Sequence, residues 1–161
     1  MFTIVLAAVV VASGIFWATS SPGNAAVGDC LNVKEFKRGN EPDRVGCADP
    51  SANVKVAVKL DDGAARCPDG DYDEYSVSGS YKLCLIPNDR EGDCLANFSS
   101  TTTQGYLHVD CADGKAEVKV VKVAQGVADE SGCEGTDATS YRSYSQPKST
   151  YCYLELSQTS I

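Results

Sequence analysis

Eight cysteines carry most of the chemical potential of this 161-residue chain. They fall in two sets of four: Cys30, Cys47, Cys67 and Cys84, then Cys94, Cys111, Cys133 and Cys152. Thiols in even number can pair by oxidation or can hold a metal. Zinc sites favour close pairs such as C-x-x-C with histidine nearby. Here the closest two, Cys84 and Cys94, are ten residues apart, and the sole histidine is His108. The pattern therefore reads as a disulfide framework made in an oxidising compartment, with no metal or cofactor site.

The remaining reactive residues mark no catalytic set. A catalytic imidazole works with a nucleophile and an orienting group. Arg44 stands 64 residues before His108, which argues for a surface strand position. Asp69-Gly70-Asp71-Tyr72-Asp73-Glu74 alternates carboxylates as calcium loops do. An EF-hand loop, however, needs glycine at its sixth position and glutamate at its twelfth, where Glu74 and Ser80 stand. It reads as a solvated acidic loop. No particular pair of carboxylates is marked for glycoside hydrolysis. Tyr141, Tyr144, Tyr151 and Tyr153 crowd the end of the chain, matched earlier by Tyr72, Tyr75 and Tyr81. Aromatics at alternating strand positions pack across strands. Left exposed, they make a flat surface for a sugar or a protein. These four tyrosines are the candidate binding surface.

What must position these residues is a duplicated unit. Gly28-Asp29-Cys30-Leu31, Val45-Gly46-Cys47-Ala48-Asp49 and Val54-Lys55-Val56 return as Gly92-Asp93-Cys94-Leu95, Val109-Asp110-Cys111-Ala112-Asp113 and Val118-Lys119-Val120, each shifted by 64 residues. Later the shift drifts, to 66 between Cys67 and Cys133 and 68 between Cys84 and Cys152. Units of this size bury too little to be stable without covalent help. Strands are expected at Cys30–Val33, from Val45 and Cys47 onward, over Val54–Leu60, around Tyr75–Val77, and over Tyr81–Ile86. Ser78-Gly79-Ser80 is the hairpin turn between the last two. Val54, Val56, Val58 and Leu60 would face a core and Lys55 and Lys59 water. In the second unit Val118 and Val120 share one parity and Val121 and Val123 the other. That slip predicts a β-bulge at Val120–Val121 with Lys119 and Lys122 exposed. Ser140–Pro147 reads as a long hairpin loop and Tyr151–Leu156 as the closing strand. The expected fold is mainly β, with α+β as the alternative: two tandem disulfide-stapled units, 28–87 and 92–157, after one N-terminal hydrophobic helix. The short link Pro87–Arg90 leaves the units in contact.

Residues 1–19 are apolar and uncharged, long enough for a short membrane span or an uncleaved signal segment. No basic residue precedes the apolar run, which points to a misplaced start with residues missing before Met1. Residues 20–27 read as a linker. Cys30 follows Val27-Gly28-Asp29 and lacks the small apolar residues that lipid modification requires. The chain is expected at the cell membrane through Met1–Ala18, with the cysteine-rich part extracytoplasmic, or else secreted. The net charge of −8 excludes a phosphate-binding surface and so a nucleic-acid partner.

In its pattern Gly-Asp-Cys, Val-x-Cys, Cys, Cys-Leu, the chain resembles the LppU-like family of exported actinobacterial proteins, over Gly28–Leu85 and again over Gly92–Leu154. The resemblance implies an exported envelope protein and carries no catalytic residues with it. The family's namesake is a lipoprotein, a feature this sequence departs from. In the bacterial setting so implied, the sequon Asn97-Phe98-Ser99 is a chance match. The expected function is a duplicated, disulfide-stabilised binding or structural module without catalytic activity, its partner a protein or glycan of the cell envelope. The alternative is an extracytoplasmic enzyme acting on cell-wall glycans through carboxylates.

Eight cysteines allow 105 pairings. Closure within each unit, alike in both, leaves three. The 17-residue interval from Cys30 to Cys47 recurs from Cys94 to Cys111. A fixed interval suits a bridge across consecutive strands, which are usually neighbours. The preferred set is Cys30–Cys47, Cys67–Cys84, Cys94–Cys111 and Cys133–Cys152. The nested set, Cys30–Cys84 with Cys47–Cys67, is the alternative.

Overall fold

The computed structural model describes residues 22–37, 39–99 and 102–157. The expected N-terminal helix and membrane segment lie outside these residues. Among the described residues no helix is long and apolar enough to cross a membrane. The chain is mainly β. The first unit contributes β1 (Cys30–Asn32), β2 (Asp43–Val45), β3 (Val54–Leu60), β4 (Asp73–Val77) and β5 (Tyr81–Pro87). The second contributes β6 (Cys94–Ala96), β7 (Leu107–Val109), β8 (Val118–Gln125), β9 (Ser140–Ser145) and β10 (Lys148–Glu155). Each set forms one antiparallel sheet, in the orders β2-β1-β3-β5-β4 and β7-β6-β8-β10-β9. Strand order is thus duplicated along with sequence.

All eight cysteines are paired, as Cys30–Cys47, Cys67–Cys84, Cys94–Cys111 and Cys133–Cys152. In the first and third bridges one cysteine opens a strand, β1 or β6, and the other sits in the turn just after the neighbouring strand. In the second and fourth, a loop cysteine is tied to the middle of β5 or β10. The loop that lacks a strand of its own is thereby held against the sheet.

The bulge falls where the broken alternation places it. Tyr153 pairs with Val120 and Cys152 with Lys122, so Val121 is the extra residue. Lys119 is exposed; Lys122 is half-buried and its Nζ donates to the Glu134 carbonyl at 3.3 Å. The first unit carries the same bulge at Ala57, between Val56 opposite Leu85 and Val58 opposite Cys84. There the regular run of valines hid it. Val54, Val56 and Ala57 are buried, but Val58 and Leu60 are only half-buried. Lys59 does not face open water, because its Nζ donates to the carbonyls of Gly23 (2.7 Å) and Ala25 (3.0 Å). Residues 22–27 are consequently part of the fold rather than a free linker. Pro22–Asn24 forms a 3-10 turn, and Ala25 is buried in the first core.

Two further expectations are corrected. The second strand ends at Val45, before Cys47, because the chain turns over 47–51 with Asp49 accepting from Ser51 N–H at 2.8 Å. Ser140–Ser145 is a strand, β9, and not a loop. Its serines hid it, since little of it is apolar. It is held on one side by β10 and on the other by residues 69–72 of the first unit.

The cores are shared between units. The first gathers Ala25, Leu31, Val33, Val54, Val56, Leu83 and Leu85, and is completed by Tyr106 and Phe98 of the second unit. The second gathers Leu95, Val118, Val120, Tyr144, Tyr151 and Tyr153, and is completed by Ala57, Val58, Tyr72 and Ile86 of the first. Strand β5 feeds both. Side chains alternate across a strand, so Leu83 and Leu85 enter one core while Ile86, on the reverse side, enters the other.

Candidate functional site

The four tyrosines of the candidate surface do not form one. Tyr144 and Tyr153 are fully buried and Tyr151 is 5% exposed, which leaves Tyr141 alone on the surface at 44%. Burial wins because β9 and β10 turn Tyr144, Tyr151 and Tyr153 onto the side that the first unit covers. There Tyr144 meets Tyr72 edge-on at 5.1 Å and Tyr151 at 5.7 Å, and Phe98 lies 4.5 Å from Tyr153. Such pairs add roughly 1 kcal/mol each beyond their buried area.

Two polar clusters clamp the units together. In the first, Tyr106 Oη donates to Asp73 Oδ2 at 2.7 Å, and the Arg142 guanidinium donates to Asp73 at 3.3 Å and to the Tyr106 hydroxyl. The guanidinium also lies over the rings of Phe98 (4.7 Å) and Tyr106 (5.1 Å). Burial raises the Asp73 carboxyl above the usual range, against the pull of Arg142. Burial likewise raises the Tyr106 hydroxyl, which stays protonated and donating. In the second cluster, His108 Nε2 sits 3.0 Å from Asp89 and 3.8 Å from Asp93. The ring also faces the Pro50 main chain of the first unit across a small recess. The bond to Asp89 is the main cause that raises His108 above the ordinary imidazole value. Asp89 itself is pushed up by burial, and its second oxygen accepts from Tyr153 Oη at 3.4 Å. His108 is thus a cross-unit fastener, not a plain surface residue.

The acidic loop 69–74 is likewise structural. Asp71 Oδ2 accepts from Ser143 N–H at 2.8 Å, and Asp73 belongs to the Arg142 cluster. Among the described residues no group of three histidines, cysteines or carboxylates is placed to hold a metal. Asn97 of the sequon bends back at φ 58°, and its Nδ2 donates to the Gly105 carbonyl. The Glu117 carboxylate gathers the N–H groups of Asn97, Phe98 and Ser99, at 2.8–3.2 Å, and so aims Phe98 inward.

Apart from Glu74 and Tyr75, the residues of one apolar recess are ones the sequence did not mark. A groove of about 200 Å³ lies between the β1–β2 loop and β4. Val33, Phe36, Pro42, Tyr75 and Leu85 make it apolar; Glu35, Lys37 and Glu74 charge it. The loop wall is fixed by an antiparallel contact with residues 103–105. Phe36 N–H donates to the Thr103 carbonyl at 2.6 Å and Gly105 N–H to the Lys34 carbonyl at 2.9 Å. The contact requires glycine, because a Cβ on Gly105 would stand 1.6 Å from the Val33 oxygen. The opposite wall is Glu74, Tyr75 and Ser76. Alternate residues line a strand's face, whereas three consecutive ones mark its edge. The groove therefore opens on the main chain of an edge strand, a template for another strand. The sequence hinted at this strand around Tyr75–Val77, before the Ser78-Gly79-Ser80 turn, and nothing local showed that no described residue would cover its outer side.

Neither family models nor curated proteins nor solved structures give a match to this chain.

Proposed function

We propose that the chain is an exported cell-envelope protein whose two disulfide-stapled units act together as a non-catalytic binding module. The observation that carries this reading is the groove beside β4, an apolar recess with one wall a strand edge that no described residue pairs with. The side chains most suited to chemistry have structural work elsewhere. The eight cysteines are bridged, and Asp73, Asp89, His108 and Arg142 hold the units together. The four disulfides fit an oxidising compartment. The apolar N-terminal segment and the resemblance to LppU-like exported proteins point the same way.

Two measurements test the reading. Fractionation followed by intact mass should recover the chain outside the cytoplasm, about 8 Da lighter than its reduced form at two hydrogens per bridge. A photoreactive residue at Ser76 should give a light-dependent product with an envelope component, and one at exposed Lys115 should not. A cytoplasmic, reduced chain, or no product at Ser76, overturns it.

A further inference from the structure

The duplication supplies a direct comparison for the open edge. Pairing register makes β9 the counterpart of β4. Ser143 lies opposite Thr150 as Ser76 lies opposite Lys82, and Tyr144 opposite Ser149 as Val77 opposite Tyr81. In the second sheet the outer side of β9 is covered by residues 69–72 of the first unit, run out as a short extended strap. Asp71 N–H donates to the Ser143 carbonyl at 2.9 Å, and Ser145 N–H to the Asp69 carbonyl at 3.1 Å. Gly70 permits the approach, because its φ is +145° and a Cβ there would stand 2.7 Å from the Ser143 oxygen. Tyr72 then closes over Tyr144, and its hydroxyl exchanges bonds of 2.8 Å with the main chain of Gln146.

In the first sheet no described residue covers the same place. Ser143 directs its N–H and C=O away from β10. Ser76, in the equivalent register, therefore directs its own away from β5, and so does Glu74 two residues earlier. The outward groups of Glu74 and Ser76 meet no partner among the described residues. Val77, counterpart of the fully buried Tyr144, is one of few large apolar side chains left exposed, at 37%. The second unit offers no equivalent strap, since Thr136 stands 66 residues after Gly70, at the point where a Cβ cannot fit.

We infer that β4 accepts an extended polypeptide segment of a partner protein, added antiparallel to its outer edge and built like the chain's own strap, with a glycine followed two residues later by an aromatic. The inference rests on the reading of the β4 groove as a binding site. Bonds at Ser76, matching the two that Ser143 makes with the Asp71 N–H and the Asp71 carboxylate, would supply affinity, and the aromatic ring covering Val77 the selectivity.

The test is a titration of the oxidised, ¹⁵N-labelled full chain with a capped heptapeptide of residues Pro68–Glu74. The expected result is movement of the β4 amides and exchange protection of the Ser76 amide, which the peptide's Asp71 carboxylate would accept from as it does from Ser143. Methylating the peptide nitrogen that corresponds to Asp71 should weaken binding about tenfold, the effect of one lost main-chain bond. Ser76→Pro should abolish binding while leaving the thermal midpoint unchanged, since an edge strand tolerates proline on its outward side. No response at millimolar peptide, an undiminished response to the methylated peptide, or perturbation confined to β2 or β7 overturns the inference. A second arm uses soluble peptidoglycan fragments. If these alone move the groove amides, the polypeptide inference fails while the binding reading stands; silence in both arms removes both.

Discussion

At the scale of single residues, charge is used here to join units. His108 and Arg44 occupy equivalent positions, and each pairs with the aspartate of its own Gly-Asp-Cys motif: Arg44 with Asp29 at 3.0 Å, His108 with Asp93 at 3.8 Å. Only His108 also reaches a buried carboxylate, Asp89. A histidine raised by its fold contributes stability that is full below the unfolded value, near 6.5, and lost as pH rises through the folded value. Thermal midpoints should therefore fall between pH 6 and pH 9 as Asp89 loses its cation, and His108→Gln should flatten that dependence. A wild-type midpoint constant across the window would refute the role. Arg142 permits a second prediction. Arg142→Ala leaves half-buried Asp73 without its cation and should cost roughly 2 kcal/mol, less than a fully buried pair because both groups keep some solvent. Adding Asp73→Asn should recover part of the loss in chemical denaturation; strict additivity would show the pair to be uncoupled.

At the scale of elements, the sheets are short-stranded and depend on staples. Each bridge closing 17–19 residues should stabilise by roughly 3 kcal/mol through the unfolded chain. Reductant should consequently unfold the protein near body temperature, read by loss of near-ultraviolet dichroism. The loops between the first two strands of each sheet are elements in their own right, because they pair with each other. Gly105→Ala drives a methyl group into the Val33 carbonyl and should destabilise by about 2 kcal/mol or more. Gly114→Ala, with open space around it, should change little. Equal midpoints for the two variants would mean the loop contact contributes nothing.

For the whole molecule, two repeats do not make two domains. Phe98 and Tyr106 finish the first core, and Tyr72, Ala57 and Ile86 finish the second. A fragment of either unit alone would expose these faces to water, at about 25 cal/mol for each Å² of apolar surface left unburied. The oxidised whole should melt in one transition. Fragments 22–90 and 91–157 should each show poorly dispersed amide spectra that sharpen on mixing. Two separate transitions, or a well-folded single unit, would contradict the shared core.

The sequence by itself determined the duplication, the β class, the complete pairing of cysteines and the bulge at Val121. Each rests on a local pattern: a constant 64-residue shift, period-two alternation, a conserved 17-residue interval, and one broken alternation. The identical bulge at Ala57 was illegible, because valines on both sides kept the alternation intact. Which tyrosines lie inside was decided only in three dimensions. Alternation gives the face of a strand, but not which face a second sheet will cover. The same holds for the β4 groove. Whether a strand edge is paired or open depends on where a distant loop of the other repeat comes to rest, as Gly70 does against Tyr144, 74 residues on. For β9 that loop is the strap Asp69–Tyr72, and for β4 the described chain supplies none.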